Sequence, residues 1–291
     1  MDLCLNYIKA RHKYKNGGII MAYKCAMATN KGGVLKTSCT VNIATSVAMY
    51  LKANNRSDEK VAIIDTDGQG NCALSFGYIP DDFKDTIYDV LMGNAPVKDI
   101  VYKVDEELEL YLLPSNDDMN YFTIDIINKY GSSQKILTLL KDRLNEIENE
   151  FSYIFVDTPP TLDIVQMNVL NYVDRLIIPY QPEVYSMRSI QMFLDRVKRM
   201  KESNTNLDIE GVLVTLYKGK TNAHKTNVLS LYKFLQARKI KVFDEKIPQT
   251  IKVGESIYKY QKPAVMVNEY KNNPAIEAYK SVAESIVAKN S

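Results

Sequence analysis

Cysteine and histidine are scarce in this 291-residue chain, and their placement excludes several chemistries. The four cysteines are Cys4, Cys25, Cys39 and Cys72; no two form a C-x-x-C pair, and none follows Cys72. His12 and His224 stand far apart. Neither a zinc site nor a disulfide framework has the spacing it needs, which points to a reducing compartment. No run of about 18 apolar residues exists, so no transmembrane helix is expected. Internal repeats, low-complexity tracts and Pro/Gly-rich linkers are absent, and one domain is the simplest account. Residues 1–20 contain Arg11, His12, Lys13 and Lys15 but no long apolar stretch, so a signal peptide is not expected. Two readings of that segment stand side by side. Codons for Asn16-Gly17-Gly18 can spell a purine-rich ribosome-binding stretch just before Met21, which would make Met21 the start; otherwise residues 1–20 are a basic, flexible extension.

What is present is ordinary in amount: 25% charged and 46% hydrophobic residues, in a chain long enough for one large α/β domain. Apolar runs alternate with amphipathic stretches from Tyr23 onward. Strands are expected at Tyr23–Thr29, Val61–Ile64, Glu109–Leu113, Tyr153–Val156, Arg175–Ile178, Gly211–Leu216 and Val242–Ile247. Helices are expected at Thr37–Ala53, across most of Tyr121–Glu150 with a break near Gly131, and at Pro274–Ala288. Short apolar strands alternating with helices predict an open, mostly parallel sheet with helices on both faces.

The first strand runs into Thr29-Asn30-Lys31-Gly32-Gly33-Val34-Leu35-Lys36-Thr37-Ser38 and then a helix. A strand, a Gly-rich loop, Lys-Thr and a helix form the context of a phosphate-binding loop. Residues Lys31 to Ser38 would cradle the phosphates with backbone N–H groups, Lys36 would sit on the β- and γ-phosphates, and Thr37 would ligate Mg²⁺. Asn30 and Leu35 occupy the two glycine positions of the strict pattern, so a glycine turn with an incidental lysine stays open on this loop alone. Two further segments argue against that. Val61 to Asn71 places Asp65 and Asp67 at the end of a buried strand, and Tyr153 to Pro160 places Asp157 at the end of another. Ligands of open α/β sheets bind beyond the carboxyl ends of the strands. One strand-end aspartate is usually a turn residue; three beside such a loop make a metal–phosphate site.

These segments resemble the ParA/MinD family of deviant Walker-A ATPases, and within it the ParA/Soj partition ATPases. The family's K-G-G-x-G-K-[ST] loop matches Lys31 to Thr37, its D-x-D-P-Q-G-N segment matches Asp65 to Asn71, and its D-T-P-P segment matches Asp157 to Pro160. Weaker matches run through Thr86–Leu91, Leu113–Asn116, Ile178–Glu183 and Ile247-Pro248. The resemblance covers nearly all of residues 21–291, read as a single ATPase domain. It implies ATP and Mg²⁺ as cofactors, a homodimer with ATP sandwiched in it, and slow, partner-stimulated hydrolysis. Residue by residue, it implies that Lys31 crosses the dimer interface to the partner's nucleotide phosphates, that Asp67 orients the attacking water, and that Asp65 and Asp157 support Thr37, Mg²⁺ and its waters. Leu35 in place of a glycine and Gly68 in place of a proline depart from the pattern. If the backbone at 35 needs a positive φ, leucine is strained there, with slow or altered hydrolysis as the consequence.

Within the family, the iron–sulfur branch needs cysteines later than Cys72, and the kinase branch a tyrosine cluster that the dispersed Tyr258, Tyr260, Tyr270 and Tyr279 do not form. The membrane branch needs a basic amphipathic C-terminal helix, whereas Pro274–Ala288 has the apolar pattern of a helix docked on the core; no membrane partner is expected. Charge distribution favours DNA. Residues 218–262 hold 11 Lys and Arg against 3 Asp and Glu, a net of +8, in a chain whose total is +2. Lys218, Lys220, Lys225 and Lys252 are the leading contacts for sequence-independent DNA binding, followed by Lys233, Arg238, Lys239, Lys241 and Lys259; the alternative is a solvated basic face. The expected function is partition of a plasmid or chromosome, with a ParB-like centromere-binding partner, in the cytoplasm on the nucleoid. The rivals are a related ATPase that positions a protein cargo and a hydrolysis-poor, ATP-switched DNA-binding protein.

Overall fold

A computed structural model describes residues 22–161 and 163–290, together with a ribbon in which Tyr14–Lys15 pairs antiparallel with Gly18–Ile19. Cys4, His12 and the choice between Met1 and Met21 lie outside the described residues. The main sheet contains β1 (Tyr23–Met27), β2 (Val61–Asp65), β3 (Tyr102–Lys103), β4 (Leu110–Leu113), β5 (Tyr153–Asp157), β6 (Arg175–Tyr180), β7 (Asp208–Tyr217) and β8 (Val242–Pro248). Their order is β8-β7-β6-β1-β5-β2-β4-β3. Every pairing is parallel except β3 with β4 at one edge. The expected open, mostly parallel sheet is therefore present.

Among the described residues the α-helices that connect or cover these strands are α1 (Lys36–Ala53), α2 (Asn71–Leu74), α3 (Ile87–Met92), α4 (Phe122–Tyr130), α5 (Leu139–Leu144), α6 (Ile164–Tyr172), α7 (Ser186–Met200), α8 (Asn222–Gln236), α9 (Lys252–Tyr260) and α10 (Pro274–Lys289). Successive strand residues point to opposite faces. Tyr23, Cys25 and Met27 of β1 accordingly join one core with α1 and α10, through Val47, Leu51, Tyr279 and Val282. Ala26 and Ala28 join the other, with α6, α7 and α8 through Val169, Phe193 and Leu231. Parallel strands buried on both faces explain the continuous apolar runs in the sequence. The ring of Tyr279 is fully buried, which bears out α10 as a core helix.

Two expectations are refined. Tyr121–Glu150 breaks near Gly131 as expected: α4 stops there, where φ is 67, and the rest is α5 flanked by short 3-10 turns at Gln134–Leu137 and Glu148–Glu150. Ser133 turns its hydroxyl to the backbone N–H of Lys135 and starts a new turn instead of prolonging the helix. The strand expected at Gly211–Leu216 runs from Asp208 to Tyr217, because Asp208 and Ile209 also pair with β6.

Parallel strands give the sheet one carboxyl edge, and β1, β2 and β5 lie side by side at its centre. Asp65 pairs in register with Asp157, and Asp157 with Met27. The loops carrying the three motifs therefore leave the sheet next to one another.

Candidate functional site

The loop after β1 enters α1 through two left-handed residues, Gly33 at φ 69 and Leu35 at φ 66, ψ 32. No side chain caps α1, so the N–H groups of its first turn face outward, where an anion would meet them. The conditional reading of Leu35 is thereby met: a leucine holds the conformation that glycine takes freely. The cost is on the order of 1 kcal/mol. Its side chain packs partly buried against the α1–α10 core.

Lys36, the first residue of α1, is buried to 7% exposure. Burial lowers its pKa below the ordinary lysine value, and the nearby Asp157 and Asp67 carboxylates oppose that. Thr37 donates its hydroxyl to Asp157 Oδ2 at 2.5 Å, and Thr40 donates to Asp157 Oδ1 at 3.2 Å. Asp65 accepts from the backbone N–H groups of Asp67 and Cys72, both at 3.0 Å. Asp67 accepts from the N–H of Gln69 at 3.1 Å, which ties its carboxylate to the turn. Asp65 and Asp157 are fully buried. Burial, then the neighbouring Asp157, raises Asp65 well above the usual carboxylate range. Burial likewise pushes Asp157 up to about 6, although the Thr37 hydroxyl pulls the other way.

Lys31 belongs to the same loop, and three acceptors hold its ammonium: Glu183 Oε2 at 2.8 Å, Ser186 Oγ at 3.1 Å and Gln181 Oε1 at 3.3 Å. This clamp comes from the loop between β6 and α7, some 150 residues further along the chain. A cavity of about 440 Å³ opens over the loop and is lined by Gly32, Gly33, Lys36, Thr37, Ser38 and Asp67 at one end. Its other end is largely apolar, with Leu74, Val253, Ile257, Pro263 and Ala264. Val34 is buried beneath the loop and does not line it. Hard oxygen donors next to a backbone cradle suit Mg²⁺ and phosphate, and the apolar end suits a flat base. Asn30, at the position of a motif glycine, keeps a buried side-chain oxygen without a protein partner.

Gly68 has a local explanation. A Cβ there would lie 2.6 Å from Asn120 Oδ1, so the asparagine amide occupies the space that any larger residue would need.

The expected basic face is split. β7 and β8 are parallel, so the turn after β7, with Lys218 and Lys220, and the start of α8, with Lys225, lie at the carboxyl edge beside the cavity. Arg238, Lys239 and Lys241, between α8 and β8, lie at the opposite edge. Lys218, Lys220 and Lys225 are exposed, and among the described residues none is in an ion pair. Lys252 is engaged, 2.6 Å from Glu255 and over the Tyr270 ring at 4.9 Å, and Lys259 shares the same Glu255. Arg238 stacks on Phe234 at 3.7 Å. The net of +8 therefore overstates any single surface. α8 is also joined to the Lys31 clamp, because Asn227 donates to the Pro182 carbonyl at 3.1 Å.

Fold and site together define a P-loop nucleoside triphosphatase. Residues 22–209 match the family described as AAA domain, and the chain belongs to that family. It is 28% identical over 268 residues to the chromosome partitioning protein ParA of Caulobacter vibrioides, spanning 91% of this chain and 93% of that one. It is also 28% identical over 264 residues to the sporulation initiation inhibitor protein Soj of Bacillus subtilis, spanning 90% and 97%. A plasmid partition protein of Borrelia burgdorferi bound to AMPPNP superposes with a TM-score of 0.72 at 25% identity, over 92% of this chain and 99% of that one. Cobyrinic acid a,c-diamide synthase of Mycobacterium smegmatis, with an ATP analogue and magnesium, shares the fold at a TM-score of 0.73 and 23% identity, over 92% and 94%. The resemblance to ParA/Soj ATPases is thereby borne out, and the chain is a P-loop ATPase of that kind.

Two predictions follow from the geometry. Leu35→Gly should keep nucleotide affinity, whereas Leu35→Ile should lower it about tenfold or more, because a β-branched residue does not hold a positive φ. Titration with a fluorescent ATP analogue checks this; equal affinity for both variants would refute the left-handed requirement. The second concerns pH. Between the unfolded carboxylate value of about 3.9 and about 6, the folded nucleotide-free protein keeps an Asp157 proton that the unfolded chain has released. Stability from this group is thus full below that window and lost as pH rises through it. Asp157→Asn should raise Tm over wild type by more at pH 8 than at pH 5, and an equal difference at both would contradict the buried-carboxylate account.

Proposed function

We propose that this chain is an ATP-switched partition ATPase whose nucleotide-bound dimer coats DNA without reading its sequence. The observation that carries the proposal is the meeting of Lys36, Thr37, Asp65, Asp67 and Asp157 at one sheet edge, with Lys31 in the same loop and paired with Glu183.

Each side chain has a defined task. Lys36 and the loop N–H groups bind the β- and γ-phosphates, while the apolar end of the cavity takes the base. Thr37, backed by Asp157 and Asp65, holds Mg²⁺, which when bound neutralises the phosphate oxygens. Asp67 orients water; its carboxylate accepts the N–H of Gln69, so it is already aimed. Lys31 leaves Glu183, Gln181 and Ser186 and reaches the phosphates of a second copy, as an arginine finger would. Each nucleotide then touches both subunits, and ATP holds the dimer together. Leu35 keeps hydrolysis slow, and a ParB-like partner stimulates it.

Lys218, Lys220 and Lys225 meet DNA phosphates. A dimer doubles them, so a weak monomer contact becomes useful only after ATP has brought two copies together. Their link to the Lys31 clamp through Asn227 and Pro182 supports coupling between nucleotide state and DNA binding. ParA of Caulobacter vibrioides and the Borrelia protein, both described as partition proteins, support this reading over a protein cargo.

The test is DNA binding in ATPγS and Mg²⁺ with the Asp67→Ala protein, which should persist as the nucleotide-bound form. Affinity for duplex DNA should be independent of sequence and fall steeply with salt. Replacing Lys218, Lys220 and Lys225 with Glu should abolish it, and each lost phosphate contact, two per replacement in the dimer, should reduce the log–log salt slope by about 0.9. Absence of duplex binding at low salt in the nucleotide-bound wild type would overturn the DNA reading and favour a protein cargo.

A further inference from the structure

Cys72 plays no part in the account so far, yet it is the side chain best placed to change what the metal–phosphate centre accepts. It sits in α2, one residue after the Asn71 that lines the cavity, and is fully buried. Its backbone N–H is spent on Asp65 Oδ2 at 3.0 Å, and its thiol faces Asp157 Oδ2 at 3.9 Å. One ligand atom each from Asp65, Cys72 and Asp157 lie within 4.8 Å of one another. The Thr37 hydroxyl reaches the same Asp157 oxygen at 2.5 Å. Cys25 and Cys39, equally buried, belong instead to the apolar core between the sheet and α1.

The donor set matters. Carboxylates and a hydroxyl alone suit Mg²⁺, which avoids sulfur; a thiolate added to two carboxylates suits zinc-class ions. A tetrahedral zinc site, with Zn–S of about 2.3 Å and Zn–O of about 2.0–2.2 Å, needs sulfur and oxygen roughly 3.5 Å apart. The 3.9 Å separation has only to close by a few tenths of an ångström.

We propose that, without nucleotide, Asp65, Cys72 and Asp157 bind a thiophilic divalent cation of the zinc class, which excludes the Mg²⁺–nucleotide. On binding, the Cys72 S–H bond breaks, a sulfur–metal bond forms and the proton passes to solvent, with no change of oxidation state. Thr37 and Asn71 line the nucleotide cavity above the site, so the cation enters through that cavity and bound nucleotide closes its path. Nucleotide and thiophilic cation are therefore mutually exclusive. The proposal is independent of the DNA-partition reading and needs only the P-loop.

The probe is Cd²⁺ added to nucleotide-free, Mg²⁺-free full-length protein, read by sulfur-to-cadmium charge-transfer absorption in the near ultraviolet. Wild type should develop a band that saturates at a single equivalent. The band should be lost in Cys72→Ser, with Zn²⁺ affinity by calorimetry reduced at least about tenfold. Wild type saturated beforehand with AMPPNP, which carries no sulfur, and Mg²⁺ should develop no band. A band that persists in Cys72→Ser, and so belongs to Cys4, Cys25 or Cys39, would overturn the proposal. Circular dichroism reports whether Cys72→Ser folds. If it does not, the nucleotide arm decides alone: a wild-type band indifferent to AMPPNP, or no band at all, overturns the proposal.

Discussion

Two carboxylates sealed from water side by side, Asp65 and Asp157, are the constraint to which the rest of this molecule answers. Such a pair is tolerated only where hydrogen bonds and cationic charge meet it. Thr37, Thr40 and backbone N–H groups supply the bonds, and Lys36 supplies one charge. Parallel pairing of β2 with β5 sets the two carboxylates next to each other, and β1 delivers the lysine and threonine to the same edge. The core on either face exists to hold those three strand ends in register.

Much of this was legible along the sequence, because its determinants are short strings. The strand–loop–Lys-Thr–helix pattern and the two strand-end aspartate segments are local, and the alternation of apolar runs with amphipathic stretches carries the α/β class. What was hidden depends on residues far apart in the chain. The Glu183 clamp on Lys31 joins loops 152 positions apart; only the weak family match at Ile178–Glu183 marked that stretch. The base end of the cavity comes from Val253, Ile257, Pro263 and Ala264, whose apolar side chains carry no motif. The edge strand Tyr102–Lys103 is two residues long, below any periodicity signal. The basic segment 218–262 was visible as charge, but a linear window does not encode strand direction: parallel β7 and β8 set Arg238, Lys239 and Lys241 at the opposite edge of the sheet from Lys218, Lys220 and Lys225. Gly68, a departure when read in sequence, lies against the Asn120 amide once the chain is folded, a contact no linear pattern shows.

The nucleotide cavity and the proposed DNA contacts share one edge, and the loop from Gln181 to Ser186 connects them. It holds Lys31 by side chains and α8 by its backbone, through the Pro182 carbonyl. Lys31 has two sets of partners in this account, its own Glu183 clamp and a second subunit's phosphates, and exchange between them is the switch. Because Glu183 is half exposed, the clamp is screened by water and weak enough to be exchanged.

The central claim is that Lys31 makes ATP a bond between two copies. Light scattering measures it most directly, by comparing the solution mass of wild type and Lys31→Ala at equal occupancy with ATPγS and Mg²⁺. The account predicts that wild type doubles its mass when nucleotide is added and that Lys31→Ala stays at the monomer mass. A Lys31→Ala protein that dimerises with nucleotide as wild type does would contradict it.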